Sequence, residues 1–175
     1  MAVVPSVVAR SLFTIALVLG VSPTLAAKDC QTLYEARLRE DLSLPLETFD
    51  GNDDRGWRAL EQSGCKHQAV TLIQAYMNHY RSSPVTLRWR LAQLHADLGE
   101  TDEAIGQART VLMDPRRDST SKLRWNDYVL ALIAYWQKDR NVFELHKAEL
   151  AKHLDHPGNV HNLALLEKLQ WPPSP

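Results

Sequence analysis

Seven histidines, two cysteines and a scatter of carboxylates are the side chains through which this chain could do chemistry. His153, His156 and His161 gather around Pro157-Gly158, and neutral imidazoles spaced i, i+3 on one helix face are good zinc ligands. No Cys or Glu stands at a ligating interval beside them, so they read as surface histidines, with His146 joining only if the hairpin before them is tightly wound. His67, His79 and His95 fall on different helices; His95, inside the Leu91–Leu98 stripe, reads as a half-buried core histidine with a backbone or solvent partner. A hydrolytic carboxylate pair needs two acids converging in a cleft. Glu61, Asp97 and Asp127 could approach one another across a shared face, yet each is also an ordinary helix-surface acid. Asp50, Asp53 and Asp54 invite a calcium reading, but the run lacks the alternating oxygens and distal Glu of an EF-hand loop. It reads as an acidic turn leading into a helix N-terminus. No Gly-x-Ser-x-Gly, Walker loop or His-Glu-x-x-His occurs. The expectation is a protein that is not an enzyme and holds no metal or cofactor.

The elements that position these groups begin with an export signal at residues 1–26. Arg10 gives the positive flank, Ser11 to Val21 the apolar stretch, and Thr24-Leu25-Ala26 the small-x-small cleavage pattern. The apolar stretch is about half of the roughly 20 residues a spanning helix needs, so no stable membrane insertion is expected. Lys28 and Asp29 before Cys30 do not fit a lipobox, which leaves a periplasmic or secreted protein. Residues 27–175 suffice for one domain with a real core. Their formal charge of −2, once Arg10 is removed with the signal, disfavours nucleic acid as a partner. In an exported chain an even pair of cysteines points to a Cys30–Cys65 disulfide, stapling the N-terminal helix to the first helical hairpin.

A helix, a Gly turn and an Ala-bearing second helix occur twice. The copies centre on Gly64 and Ala69, and on Gly99 and Ala104, 35 residues apart. A period in the mid-thirties marks helical hairpins that bury their apolar faces against one another. Periodicity places helices over 29–42, 57–63, 66–80 and 84–98, and from Thr101 to just before Asp114-Pro115. A loop spans Ser43–Gly56 and a polar turn Arg116–Ser121. Tyr128–Trp136 is apolar throughout and should be buried on several sides. Val142–Leu154 and a last helix capped by Asn159, running to about Gln170, complete an all-α reading.

The unit Val85–Pro115 resembles a tetratricopeptide repeat at Leu91-Ala92, Gly99, Glu103-Ala104-Ile105 and Pro115. The flanking units match less: the first has a truncated leading helix, and the third has Lys138 and Phe143 in place of Gly and Ala, after an interval of 39. The chain also looks like exported helical-repeat proteins of Gram-negative bacteria. The resemblance implies a solenoid of about three hairpins with flanking helices at both ends. It implies a groove lined by the leading helices: Arg58, Glu61 and Gln62 from the first, Trp89, Gln93 and Asp97 from the second, Trp125, Tyr128, Leu132, Tyr135 and Trp136 from the third. Such a face suits a peptide or protein segment, in the manner of an adaptor, chaperone or inhibitor. The competing expectation is a small periplasmic hydrolase or cell-wall enzyme using Glu61 or Asp97 with a nearby His.

Overall fold

The computed structural model describes residues 23–171, with side chains from Asp29 onward apart from Ser119. Residues 1–22, most of the expected export signal, lie outside the described residues. Among the described residues there are ten helices and no strand. They are α1 (Pro23–Asp41), α2 (Leu46–Gly51), α3 (Gly56–Gln62), α4 (Lys66–Tyr80), α5 (Val85–Asp97), α6 (Thr101–Arg109), α7 (Pro115–Thr120), α8 (Trp125–Trp136), α9 (Arg140–Ala151) and α10 (Pro157–Glu167). None is long and apolar enough to cross a membrane.

Consecutive helices pair: α3 with α4, α5 with α6, α8 with α9. Successive pairs meet through α4 with α5 and α6 with α8, while α1 and α10 pack at the two ends. The turns explain the first two pairings. Gly64 and Gly99 sit at φ +78° and +77°, a conformation that ends a helix and that L side chains adopt only with strain. Five residues on, Ala69 and Ala104 are fully buried, small enough to let the partner helices close in. In the third pair Lys138 takes φ +61° in Gly's place, and Phe143 is buried where the others have Ala. Asp139 caps α9 by accepting from Val142 N at 3.1 Å.

Helix α5 divides the interior. Leu87, Leu91 and Leu94 face a core with Phe49, Leu60, Ile73 and Tyr76. Trp89 and Ala92, on its other side, face a second core with Val129, Ile133, Phe143 and Leu150. As its uniform apolarity required, α8 is buried at Tyr128, Val129 and every residue from Ala131 to Ala134.

Several boundaries differ from the sequence reading. The first helix, expected over 29–42, starts earlier: α1 already runs as helix from Pro23. The loop after α1 contains α2, started by Pro45 and fixed by Phe49, which is fully buried and stacks on Tyr76 at 3.8 Å. The polar turn after Pro115 is the short helix α7, capped by Asp114 through Arg116 N at 2.9 Å. Asn159 does not cap α10; His156 does, and Asn159 is buried. Its Oδ1 accepts from Arg124 N at 2.9 Å, and its Nδ2 donates to the carbonyls of Lys122 and His153 at 2.9 and 2.6 Å. A side chain that satisfies three backbone groups of other segments is worth more as a clamp than as a cap.

Cys30 and Cys65 are bonded, with Cα atoms 5.4 Å apart, tying α1 to the turn that begins α4. At the other end of α1 the fully buried Asp41 accepts from Arg55 Nε at 2.8 Å and Gly56 N at 2.9 Å. The bridge fits an oxidising, extracytoplasmic compartment.

Candidate functional site

The face sketched from sequence is partly assembled and largely closed. Trp57 on α3 donates Nε1 to Asp50 Oδ1 at 3.2 Å, with the Arg58 guanidinium 4.5 Å above its ring. Arg58 donates Nε to the Asp50 carbonyl at 2.7 Å. From α5, Arg90 reaches the same Asp50 carboxylate at 3.2 Å and Gln93 Oε1 at 3.3 Å. Asp50 is therefore no free turn acid: its carboxylate accepts from Trp57 and Arg90 and its backbone carbonyl from Arg58, which joins α2, α3 and α5.

Beyond Arg90 an aromatic cluster continues into α8. Trp89 meets Trp125 at 5.3 Å, Tyr128 at 5.8 Å and Trp136 at 6.4 Å between ring centres. Trp89 and Tyr128 are only 7% and 4% exposed, so they are core rather than an open wall, and Leu132 is buried with them. Burial pushes the Tyr128 phenol up to about 12, against the opposing pull of Arg90. Tyr135 leaves the group: its ring lies 5.2 Å from Trp171, and its hydroxyl donates to the Gln170 carbonyl at 2.8 Å. Asp97 is exposed and paired with Lys66 at 2.6 Å. Glu61 stays half-buried on α3 and Gln62 beside it is exposed.

An open trough lies elsewhere, at the edge where the second and third pairs meet. It encloses about 710 Å³ between the start of α5, the segment leaving α6, α7 and the start of α8. Val85, Val111, Leu112, Leu123 and Trp125 make its apolar surface, and Arg88 and Arg117 are its cations. The longer interval before Lys138 makes room for α7, so the trough is a product of the irregular third unit. Its wall is strapped in place: Trp125 Nε1 donates to the Val111 carbonyl at 2.8 Å, and Asn126 bonds both backbone groups of Met113. Arg88 Nη1 donates to the Ser83 carbonyl at 3.0 Å, while its Nε is buried and makes no hydrogen bond. Asp114, also in the lining, is engaged by Arg116 N. Of the residues expected to form a groove, only Trp125 reaches this trough. Sequence reasoning missed Arg88 and Arg117; Arg117 falls inside the lengthened Gly99–Lys138 interval, and no local pattern singles out Arg88.

No family model, no curated protein and no solved structure matches this chain.

The histidines do not converge. His146 Nδ1 lies 3.0 Å from Asp127 Oδ1, whose other oxygen holds Arg124 at 2.8 Å. His153 Nε2 is 3.5 Å from Glu149, whose carboxyl is held below its usual range, chiefly by a hydrogen bond from Lys152. His156 Nδ1 accepts from Gly158 N at 3.1 Å, and His161 is exposed. Among the described residues no three His, Cys, Asp or Glu side chains are placed to share a metal ion. His95, expected to be half-buried, is buried, and its partner is the Glu100 carboxylate rather than backbone or solvent. Asp97 and Asp127, two of the acids considered for hydrolysis, are engaged by different cations, Lys66 and Arg124.

Proposed function

We propose that this chain is an exported interaction module that binds a peptide or protein segment, in the manner of a tetratricopeptide-repeat adaptor, chaperone or inhibitor. The trough between the second and third pairs carries the reading. Its volume lies within the range of sites that enclose most of a small ligand or a few residues of peptide. Its surface is apolar with a small number of polar groups, the mixture that gives affinity from burial and orientation from charge. The disulfide and the amino-terminal export pattern support a working place in the periplasm or outside the cell.

The proposed binding surface is the edge trough rather than the leading-helix face. Trp89 and Tyr128 are spent on the core, so that face has little apolar area left to offer.

Selection of a phage-displayed random peptide library on the full-length protein tests this. Peptides should be enriched on the wild type and lost on Leu123→Arg, which sets a charge into the trough while leaving both cores alone. Failure to enrich any sequence, or equal enrichment on both proteins, removes the trough from consideration.

A further inference from the structure

The trough has an unusual charge distribution for an apolar site. Arg88 sits one helical turn after Val85 on α5, with Leu112, Leu123 and Trp125 also lining the space around it. One end of its guanidinium is fixed by Ser83, whose carbonyl and hydroxyl lie 3.0 and 3.4 Å from Nη1. The Nε is shielded from solvent and has no acceptor, the sole buried side-chain nitrogen or oxygen among the described residues left in that condition. Arg117, on α7, adds a second cation to the lining and forms no ion pair among the described residues. The carboxylate in the lining, Asp114, is taken up in capping α7 and facing Arg116. The lining thus carries a net positive charge over an apolar surface.

We infer that the trough recognises an apolar peptide segment bearing one internal Asp or Glu, whose carboxylate is received by Arg88 with Arg117 alongside. This rests on the peptide-binding reading and specifies its partner. A guanidinium with one end already held is pre-organised, so an arriving carboxylate finds the fork oriented and adds charge-assisted bonds. Arg88 is only partly exposed, so a pair formed with its accessible guanidinium nitrogens is less screened by water than one on the open surface. Apolar groups around Arg88 favour an acidic side chain flanked by apolar neighbours over a bare anion. Electrostatic complementarity of this sort sets register and partner choice.

The test uses three fluorescein-labelled octapeptides built of Leu, Val and Ser. One is an amide with a central Glu, one an amide with a central Gln, and one has the central Gln and a free carboxyl terminus. Anisotropy titrations are run against the full-length wild type, Arg88→Gln, Arg88→Lys and Arg117→Gln, each checked for an unchanged thermal transition. The Glu peptide should bind the wild type about ten-fold tighter than the Gln amide. That preference should vanish in Arg88→Gln, shrink in Arg88→Lys, which keeps the charge but loses the fork, and weaken in Arg117→Gln. Equal binding of the Glu and Gln amides overturns the carboxylate inference and leaves the trough as an apolar peptide site. Preference for the free carboxyl terminus over the internal Glu overturns the side-chain assignment. No binding of any peptide up to about 1 mM retires this inference and the peptide-binding reading together.

Discussion

Asn126 and Met113 are joined by two hydrogen bonds. Met113 N donates to Asn126 Oδ1 at 2.8 Å and Asn126 Nδ2 donates to the Met113 carbonyl at 3.0 Å. The side-chain amide thus acts as a strand-like partner for a segment that has left α6 and not yet entered α7. Without it, two part-buried backbone groups would need another partner, and of the bonds strapping the trough wall the one from Trp125 to Val111 would remain.

Replacing Asn126 with Ala should therefore cost about 1–3 kcal/mol, the range for leaving buried polar groups unpaired. Amide exchange at Met113 should accelerate well beyond that at Ala104, which is held within the second pair. Equal protection at Met113 in both proteins would mean the strap is not what fixes the wall.

The glycines separate two kinds of constraint. Gly99 has φ +77° with open space where a Cβ would go, so Gly99→Ala meets only left-handed strain, about 1–2 kcal/mol. Gly56 has φ +59°, and a Cβ there would run into the Phe49 carbonyl oxygen. Gly56→Ala should lower the denaturation midpoint distinctly more than Gly99→Ala, because the α2–α3 junction must open. Comparable losses would refute the steric part.

Lys138 offers the converse. It holds φ +61° in the turn where the earlier pairs have Gly. Lys138→Gly should stabilise by roughly 0.5–1 kcal/mol by relieving that strain, offset in part by the freer unfolded chain. A urea titration reads the gain directly, and a loss of stability would show that the Lys138 side chain contributes more than its backbone costs.

The Cys30–Cys65 bridge closes a loop with a sequence separation of 35. In the chain-entropy treatment its removal in Cys30→Ser/Cys65→Ser costs about 3–4 kcal/mol. The wild type should show no reactive thiol at either position until reduced, and the midpoint of unfolding should fall on reduction to that of the double variant.

Tyr128 gives a pH dependence of defined sign. Its phenol is held neutral in the folded protein up to about 12, against an ordinary 10.0. The unfolded chain releases that proton first as pH rises. The contribution is whole below pH 10 and is lost by about pH 12, amounting to about 2–3 kcal/mol. Tyr128→Phe should flatten this part of the alkaline stability profile; an unchanged slope would assign it to other groups such as Tyr76, whose phenol burial also raises.

Much of the helical layout was legible because it depends on short-range facts. Periodic apolar residues, Gly64 and Gly99 five residues before small alanines, and the unbroken apolar run of α8 each fix a helix, a turn or a burial class locally. Two cysteines in a chain with an export pattern allowed one pairing, and that bond is present. The short helices were not legible. α2 exists because Phe49 finds Tyr76, far along the chain, and α7 because Asp114 and Pro115 start a turn that Asp118 and Asn126 then fix to α8.

The site divides in the same way. From the sequence, the resemblance to a helical repeat implied that aromatic residues of α5 and α8 would share a face, and Trp89, Trp125 and Tyr128 do meet. The sequence could not determine whether that face stayed open. Tertiary packing decided it: α8 pressed Tyr128 against Trp89 and closed the gap there, while the edge of the same junction, beside α7, stayed open. Whether a side chain becomes core or wall depends on how near the neighbouring helix comes. That distance is set by the sizes of residues remote in sequence, and no local pattern records it.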